Sequence, residues 1–152
     1  MSGNCEFTAK KIAERLDADL IRIEPRKAYP DSGARKFLWG GKSAVMGEAP
    51  ALKPYEFNAE AYSRVIFGFP VWAANPVPPI RTFIRENAEA LKGMKLAAFA
   101  CQSGNGAEKA LGKLKKMLGA DTLEAELILI DPLDKPSPEK ERSIAGFCAK
   151  LG

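Results

Sequence analysis

From residue 64 onward, short apolar runs alternate with stretches whose apolar residues recur at helical spacing, and that rhythm leaves few folds open. Residues 64–71 are apolar on both faces, as an interior parallel strand requires. Residues 80–90 follow as an amphipathic helix, and Pro78-Pro79 suit its first turn, where amides have no helical acceptor anyway. Residues 95–101 read as the next strand, 107–118 as a helix and 122–130 as another strand; Ser137 reads as the N-cap of a last helix running to Leu151. Upstream, Phe7, Ala9, Ile12, Ala13 and Leu16 give 6–16 helical spacing. Residues 19–24 read as a short strand stopped by Pro25, and 34–46 as a helix interrupted by Gly40-Gly41. The alternation predicts an α/β fold of three layers, a doubly wound parallel sheet with helices on both faces. No repeat or linker divides the 152 residues, so one domain spanning 1–152 is expected.

Composition narrows the chemistry. The chain is 46% hydrophobic and 28% charged, enough to build a core without disorder. Its longest nearly apolar stretch, 65–74, is too short for a bilayer and contains Gly68 and Pro70, and no basic-then-apolar leader opens the sequence. A cytoplasmic protein with no membrane partner is therefore the expectation. The chain has no histidine, which excludes histidine-dependent triads and histidine-ligated metal. Cys5, Cys101 and Cys148 are scattered and show no C-x-x-C spacing, so neither a disulfide framework nor a zinc site is expected. No residue is assigned a catalytic role, and the chemistry is left to a bound cofactor or to less usual side chains. The net charge is +4, and Lys109, Lys113, Lys115 and Lys116 share one segment. No aromatic residues interleave with them, so they read as a solvated helix face, and nucleic acid is not an expected partner.

In open α/β sheets, ligands bind beyond the carboxyl ends of the strands, so the informative loops are those at strand ends. Ser2-Gly3-Asn4-Cys5 opens the first helix; its unpaired amides suit a phosphate, and it can equally be an ordinary helix cap. Trp72-Ala73-Ala74-Asn75-Pro76-Val77 places a tryptophan on a proline-stiffened loop, either as a flat surface for an aromatic ring or as a core side chain. Gln102-Ser103-Gly104-Asn105-Gly106 has two glycines that let backbone approach a planar ligand, or that simply turn strand into helix. One loop suited to a phosphate and two suited to a flat ring describe a mononucleotide site.

These segments together resemble the flavodoxin family, and most of all its bacterial flavodoxin-like branch. The likeness rests on Ser2-Gly3-Asn4, on Gly68-Phe69-Pro70-Val71-Trp72, on Ser103-Gly104-Asn105-Gly106, on Ile80-Arg81-Thr82-Phe83, and on Glu24-Pro25 with Tyr29-Pro30. The resemblance implies FMN as cofactor. Ser2, Gly3, Asn4 and Cys5 would cradle its phosphate. Pro70, Val71, Trp72 and Ala73 would flank the isoalloxazine ring, and Cys101, Gln102, Ser103, Gly104 and Gly106 would meet its other edge. It implies electron transfer or flavin-dependent reduction, with a redox protein or a small-molecule electron acceptor as partner. A binding module that kept the fold and lost FMN is the alternative. The strand order 2-1-3-4-5 is inherited from the family rather than derived.

Three departures accompany the resemblance. Cys5 stands where the family usually has threonine, and a thiol is the weaker donor. Electron-shuttling flavodoxins are strongly acidic, whereas this chain is basic. The family also has a hydrophobic strand immediately before the phosphate loop, and here Met1 directly precedes Ser2. Strand 1 is thus expected to be missing from this chain. Met1 is then read as an internal methionine, with the natural start roughly ten residues earlier, one strand plus its lead-in.

Overall fold

The computed structural model describes residues 3–29 and 47–152. The helix predicted over 34–46 and the site residue Ser2 lie outside them. Helix α1 (Asn4–Leu16) comes first, and a 3₁₀ turn (Ala59–Ala61) precedes strand β1 (Arg64–Trp72). Strand β2 (Asn75–Pro76), helices α2 (Pro78–Glu86) and α3 (Ala88–Leu91), and strand β3 (Lys95–Gln102) follow. Helix α4 (Ala107–Leu118), strand β4 (Glu126–Ile130) and helix α5 (Pro138–Leu151) complete the order.

The sheet runs β2-β1-β3-β4. β1 pairs parallel with β3 from Arg64↔Lys95 to Pro70↔Cys101, and β3 pairs parallel with β4 from Ala98↔Glu126 to Gln102↔Ile130. This is the 3-4-5 part of the family order. The short β2 doubles back antiparallel on β1 at Val71↔Pro76 and Trp72↔Asn75, so the sheet is mixed where an all-parallel one was expected. A two-residue reversal at Ala73-Ala74 makes this possible.

Alternation along the strands sends side chains to two cores. Phe67, Phe69, Ala98 and Ala100 point to one face, where Ile80, Phe83 and Ile84 of α2 and Leu111 and Leu114 of α4 cover them. Ala97, Phe99, Cys101, Leu127 and Leu129 point to the other, beneath Ile12 of α1 and Ile144, Phe147 and Leu151 of α5. Each fully buried large apolar side chain contributes about 1.5–3 kcal/mol relative to exposure. The two layers therefore supply most of the driving force and fix the register that aligns the strand ends.

Three expectations from the sequence shift. The helix expected over 80–90 breaks at Asn87, whose side-chain amide donates to the Phe83 carbonyl and to the Tyr55 hydroxyl, both at 2.9 Å. A side chain that caps the preceding turn competes with helix continuation. The last strand begins at Glu126 rather than 122, although Glu124 N still donates to Leu96 O. Residues 19–24 form no strand; Leu20 and Ile21 are exposed, and the backbone here pairs through one isolated bridge, Pro25↔Leu52, with two backbone bonds beside it. A strand needs a ladder to satisfy its amides. Among the described residues none runs beside 19–24, and none pairs with the outer edge of β1 along Arg64–Pro70.

Candidate functional site

The carboxyl ends of β1, β3 and β4 and the amino end of α1 meet at one end of the sheet. Gly3 starts α1 with φ 78°, a left-handed conformation natural to glycine, and among the described residues no side chain caps the helix there. The geometry of any α-helix leaves its first amides without internal acceptors. Asn4 is buried, and its side chain bridges to the segment after β4: Nδ2 donates to Asp134 Oδ2 at 2.9 Å, and Oδ1 accepts from Leu133 N at 2.7 Å. Asn4 thereby fixes where the first turn points. Cys5 is half-buried and packs against the buried layer that contains Cys101 at the end of β3.

The loop after β1 is a tight hairpin. Ala73 and Ala74 have φ values of 48° and 57°, the two-residue turn with positive φ at both positions that usually selects Asn-Gly. Asn75, 5% exposed, donates from Nδ2 to Ala73 O at 2.6 Å, and Lys113 Nζ of α4 donates to Asn75 Oδ1 at 2.8 Å. Pro70, Val71 and Trp72 are half-buried. Trp72 packs on the core and meets Tyr29 edge-on, with ring centroids 5.2 Å apart and an interplanar angle of 81°. The Tyr29 hydroxyl is buried without a hydrogen-bond partner among the described residues; burial, then the Glu48 carboxylate, pushes the phenol above its ordinary range.

The loop after β3 leans on both neighbours. Gln102 Oε1 accepts from Ala107 N at 2.9 Å and caps α4. Gly106, at φ 100°, starts that helix, and a Cβ placed on it would lie 3.1 Å from both Cα and Cβ of Ala74. The two loops are thus in backbone contact. Gly104 faces open space. Ser103 Oγ donates to Asp131 Oδ1 at 2.6 Å, and Asp131 N donates to Gln102 O at 3.0 Å. The bond from Ser103, then the ammonium of Lys135, holds the Asp131 carboxyl below its ordinary range.

The family is settled by sequence over most of the chain: the flavodoxin family model matches residues 1–135. The chain belongs to the flavodoxin family. Solved structures with the same fold include a flavoprotein from Lactobacillus acidophilus NCFM in complex with FMN, at 18% identity and TM-score 0.69, covering 93% of this chain and 91% of that one. A candidate flavoprotein from Bacteroides eggerthii DSM 20697 matches at 24% identity and TM-score 0.71, covering 97% and 91%. Another from Bacteroides uniformis ATCC 8492 matches at 22% and 0.69, covering 85% and 84%. At such identities they speak to fold alone. No curated protein sequence matches the chain.

Within this flavodoxin fold, Gly3, Asn4, Cys5, Ala73, Cys101, Gln102, Ser103 and Gly106 gather at one end of the sheet through the contacts above. Two groups escaped the sequence reading. Asp131 and Asp134 carry no role in the sequence reading, yet Asp131 braces Ser103 and Asp134 braces Asn4; the sequence signal is an aspartate directly after a strand. Tyr29 enters the sequence reading only as part of the family likeness, and its place beside Trp72 is not legible there because the two are distant in sequence. A hollow lined by Leu91, Met94, Leu96, Leu118 and Thr122 lies at the amino end of β3, opposite these loops, where the fold does not place ligands. Among the described residues no acidic or thiol cluster is arranged for a metal, and no helix is long and apolar enough to cross a membrane.

Proposed function

We propose that the chain binds FMN at the carboxyl ends of its strands and moves electrons through it, as an electron carrier or as a small flavin-dependent reductase. The observation that carries this reading is the convergence of a left-handed glycine at the head of α1 with two loops in backbone contact at Gly106 and Ala74. The contact holds the two loops to one another, and Gly104 beside it faces open space, which suits a flat ligand approached by backbone. Membership of the flavodoxin family supports the choice of flavin, as does the FMN complex of the Lactobacillus relative. FMN, when bound, accepts and releases electrons singly or in pairs, and the protein's part is binding and tuning.

The division of labour follows from the side chains. With Ser2, the first amides of α1 at Gly3, Asn4 and Cys5 hold the phosphate. Asn4 acts through its brace to Leu133 and Asp134, because its side-chain oxygen already accepts a hydrogen bond. The Cys5 side chain packs into the buried layer that contains Cys101, so its backbone amide is the group it offers. Pro70, Val71, Trp72 and Ala73 flank the ring, and Cys101, Gln102, Ser103, Gly104 and Gly106 line its polar edge. The small side chains of Ala73 and Ala74 leave room for a second substrate, which favours the reductase; its partner is a small-molecule acceptor, whereas a carrier would serve a redox protein.

Titrating the purified chain with FMN while following flavin fluorescence tests the reading. Saturable quenching with one flavin per chain is expected. Fluorescence that stays at the free-flavin level throughout the titration rejects it. Oxidation of NAD(P)H with a quinone by the loaded protein then separates reductase from carrier.

A further inference from the structure

The sheet ends at β4, and among the described residues no strand pairs with its outer side. Bonds from Ala98 N to Ala125 O and from Asp131 N to Gln102 O mark the backbone groups that β3 engages. Alternation between those points turns the amides and carbonyls of Glu126, Ile128 and Ile130 away from β3, toward the open side. The side chains of the same three residues lie on the α4 side of the sheet, since Leu127 and Leu129 face α1 and α5. Helix α4 does not cover them: Ile128 is 36% exposed and Ile130 46%. Of the large apolar side chains exposed among the described residues, these two and Leu133 lie on β4 or just past it, and none falls on β1, whose outer edge is also open.

We propose that the open side of β4 is a self-association surface, which takes β4 of a second copy antiparallel across a two-fold axis at Ile128. Symmetry, charge and the bare edge select a second copy as the occupant. The outward residues are symmetric about Ile128, so Ile128 faces its own counterpart and Glu126 faces the partner's Ile130, each pair exchanging both backbone bonds. A two-fold contact requires such a self-complementary patch. Glu126 is neutralised within its own chain by Lys115 Nζ at 2.7 Å, so no like charge repels a second copy of the edge and no net charge draws an oppositely charged partner. The edge also lacks the devices that keep edge strands apart: residues 126–130 include no proline or lysine, and their register with β3 runs without a bulge.

Pairing joins the sheets of the two copies into one continuous sheet and covers Ile128 and Ile130 on the α4 side. Because the two β4 strands run in opposite directions, the carboxyl ends of the strands point opposite ways in the two copies. The two candidate sites then lie at opposite ends of the joined sheet, so the association does not depend on what they bind.

The test needs no flavin and so stands apart from the FMN reading. Sedimentation velocity of the purified chain over a range of concentrations is expected to show a dimer. Ile128→Lys sets two ammonium groups face to face on the axis and should shift the chain to monomer at the same concentrations, with its far-UV circular dichroism unchanged. Ile128→Cys reads the register directly. Cα atoms opposite one another in such a pair are about 5.5 Å apart, within reach of a disulfide. Mild oxidation should therefore give a covalent dimer on a non-reducing gel, above the background of the native chain with its own three cysteines. Ile130→Cys should not, because the two copies of residue 130 lie about 13 Å apart across the axis. A monomer at every concentration, a dimer that Ile128→Lys leaves intact, or cross-linking at 130 as strong as at 128 would each overturn the proposal.

Discussion

The chain turns sharply after β1 and again after β3, and the two turns rest on different foundations. After β3 the left-handed position is Gly106, for which positive φ is natural. After β1 it falls on two alanines in succession, and a left-handed L-residue costs roughly 1–2 kcal/mol. The difference lies in what holds each one. Asn75 and Lys113 clamp the alanine turn by hydrogen bonds from below, and Gly106 presses against Ala74 from the side. The strained turn thus survives because its surroundings over-determine it, and those surroundings include the relaxed one. Strain retained at the mouth of a candidate site is consistent with a backbone shaped for a ligand rather than for stability.

Breaking the contact between the loops should have the largest effect. In Gly106→Ala the new Cβ meets Ala74 at 3.1 Å while φ stays at 100°, so both clash and backbone strain arise. A loss of about 2–3 kcal/mol is expected, read as a fall in the urea midpoint. An unchanged midpoint would mean that the loops do not bear on each other. Next comes the clamp. Asn75→Ala removes the bond to Ala73 O and the acceptor for Lys113, with an expected loss of about 1–2 kcal/mol. Ala74→Gly in that background should recover part of the loss, and in the native background should gain about 0.5 kcal/mol, because the left-handed penalty slightly exceeds the entropy glycine adds to the unfolded chain. A double-mutant cycle measures the coupling, and additivity of the two changes would show that Asn75 does not hold the turn.

This contrast was only half visible in the sequence. Glycines at 104 and 106 announce a turn by residue type, and helical spacing placed 107–118 to the residue. Ala73-Ala74 announce nothing, because their conformation is imposed by Asn75 and Lys113, one of them on another element. The same division runs through the fold. Strands with apolar residues on both faces were legible because burial writes its pattern locally. Residues 19–24 have that local pattern too, but no ladder runs beside them among the described residues, and pattern alone does not make a strand. The site followed suit. Its glycines and Trp72 stand out by residue type, whereas Asp131, Asp134 and Tyr29 act through partners far along the chain, at Ser103, Asn4 and Trp72.

The smallest expected effect separates the turns by pH. The loop after β3 is tied to a carboxylate, since Ser103 donates to Asp131 Oδ1 and Lys135 Nζ lies 3.2 Å from Oδ2. The clamp on the alanine turn uses an amide and an ammonium and contains no carboxylate. Because the folded state holds the Asp131 carboxyl below its ordinary range, the unfolded chain takes up that proton first as pH falls. The stabilisation from this group is therefore complete above the unfolded-state value and is lost as pH drops through the folded one. Ser103→Ala removes the larger cause of the shift, brings the folded value back toward the unfolded one, and should flatten the acid-side fall in stability. Asn75→Ala should lower the whole curve without changing that slope. Urea midpoints taken from neutral pH down to about pH 3, through the ordinary carboxylate range, distinguish the two. Parallel curves for native chain and Ser103→Ala would show that Asp131 does not secure the loop after β3 through its charge.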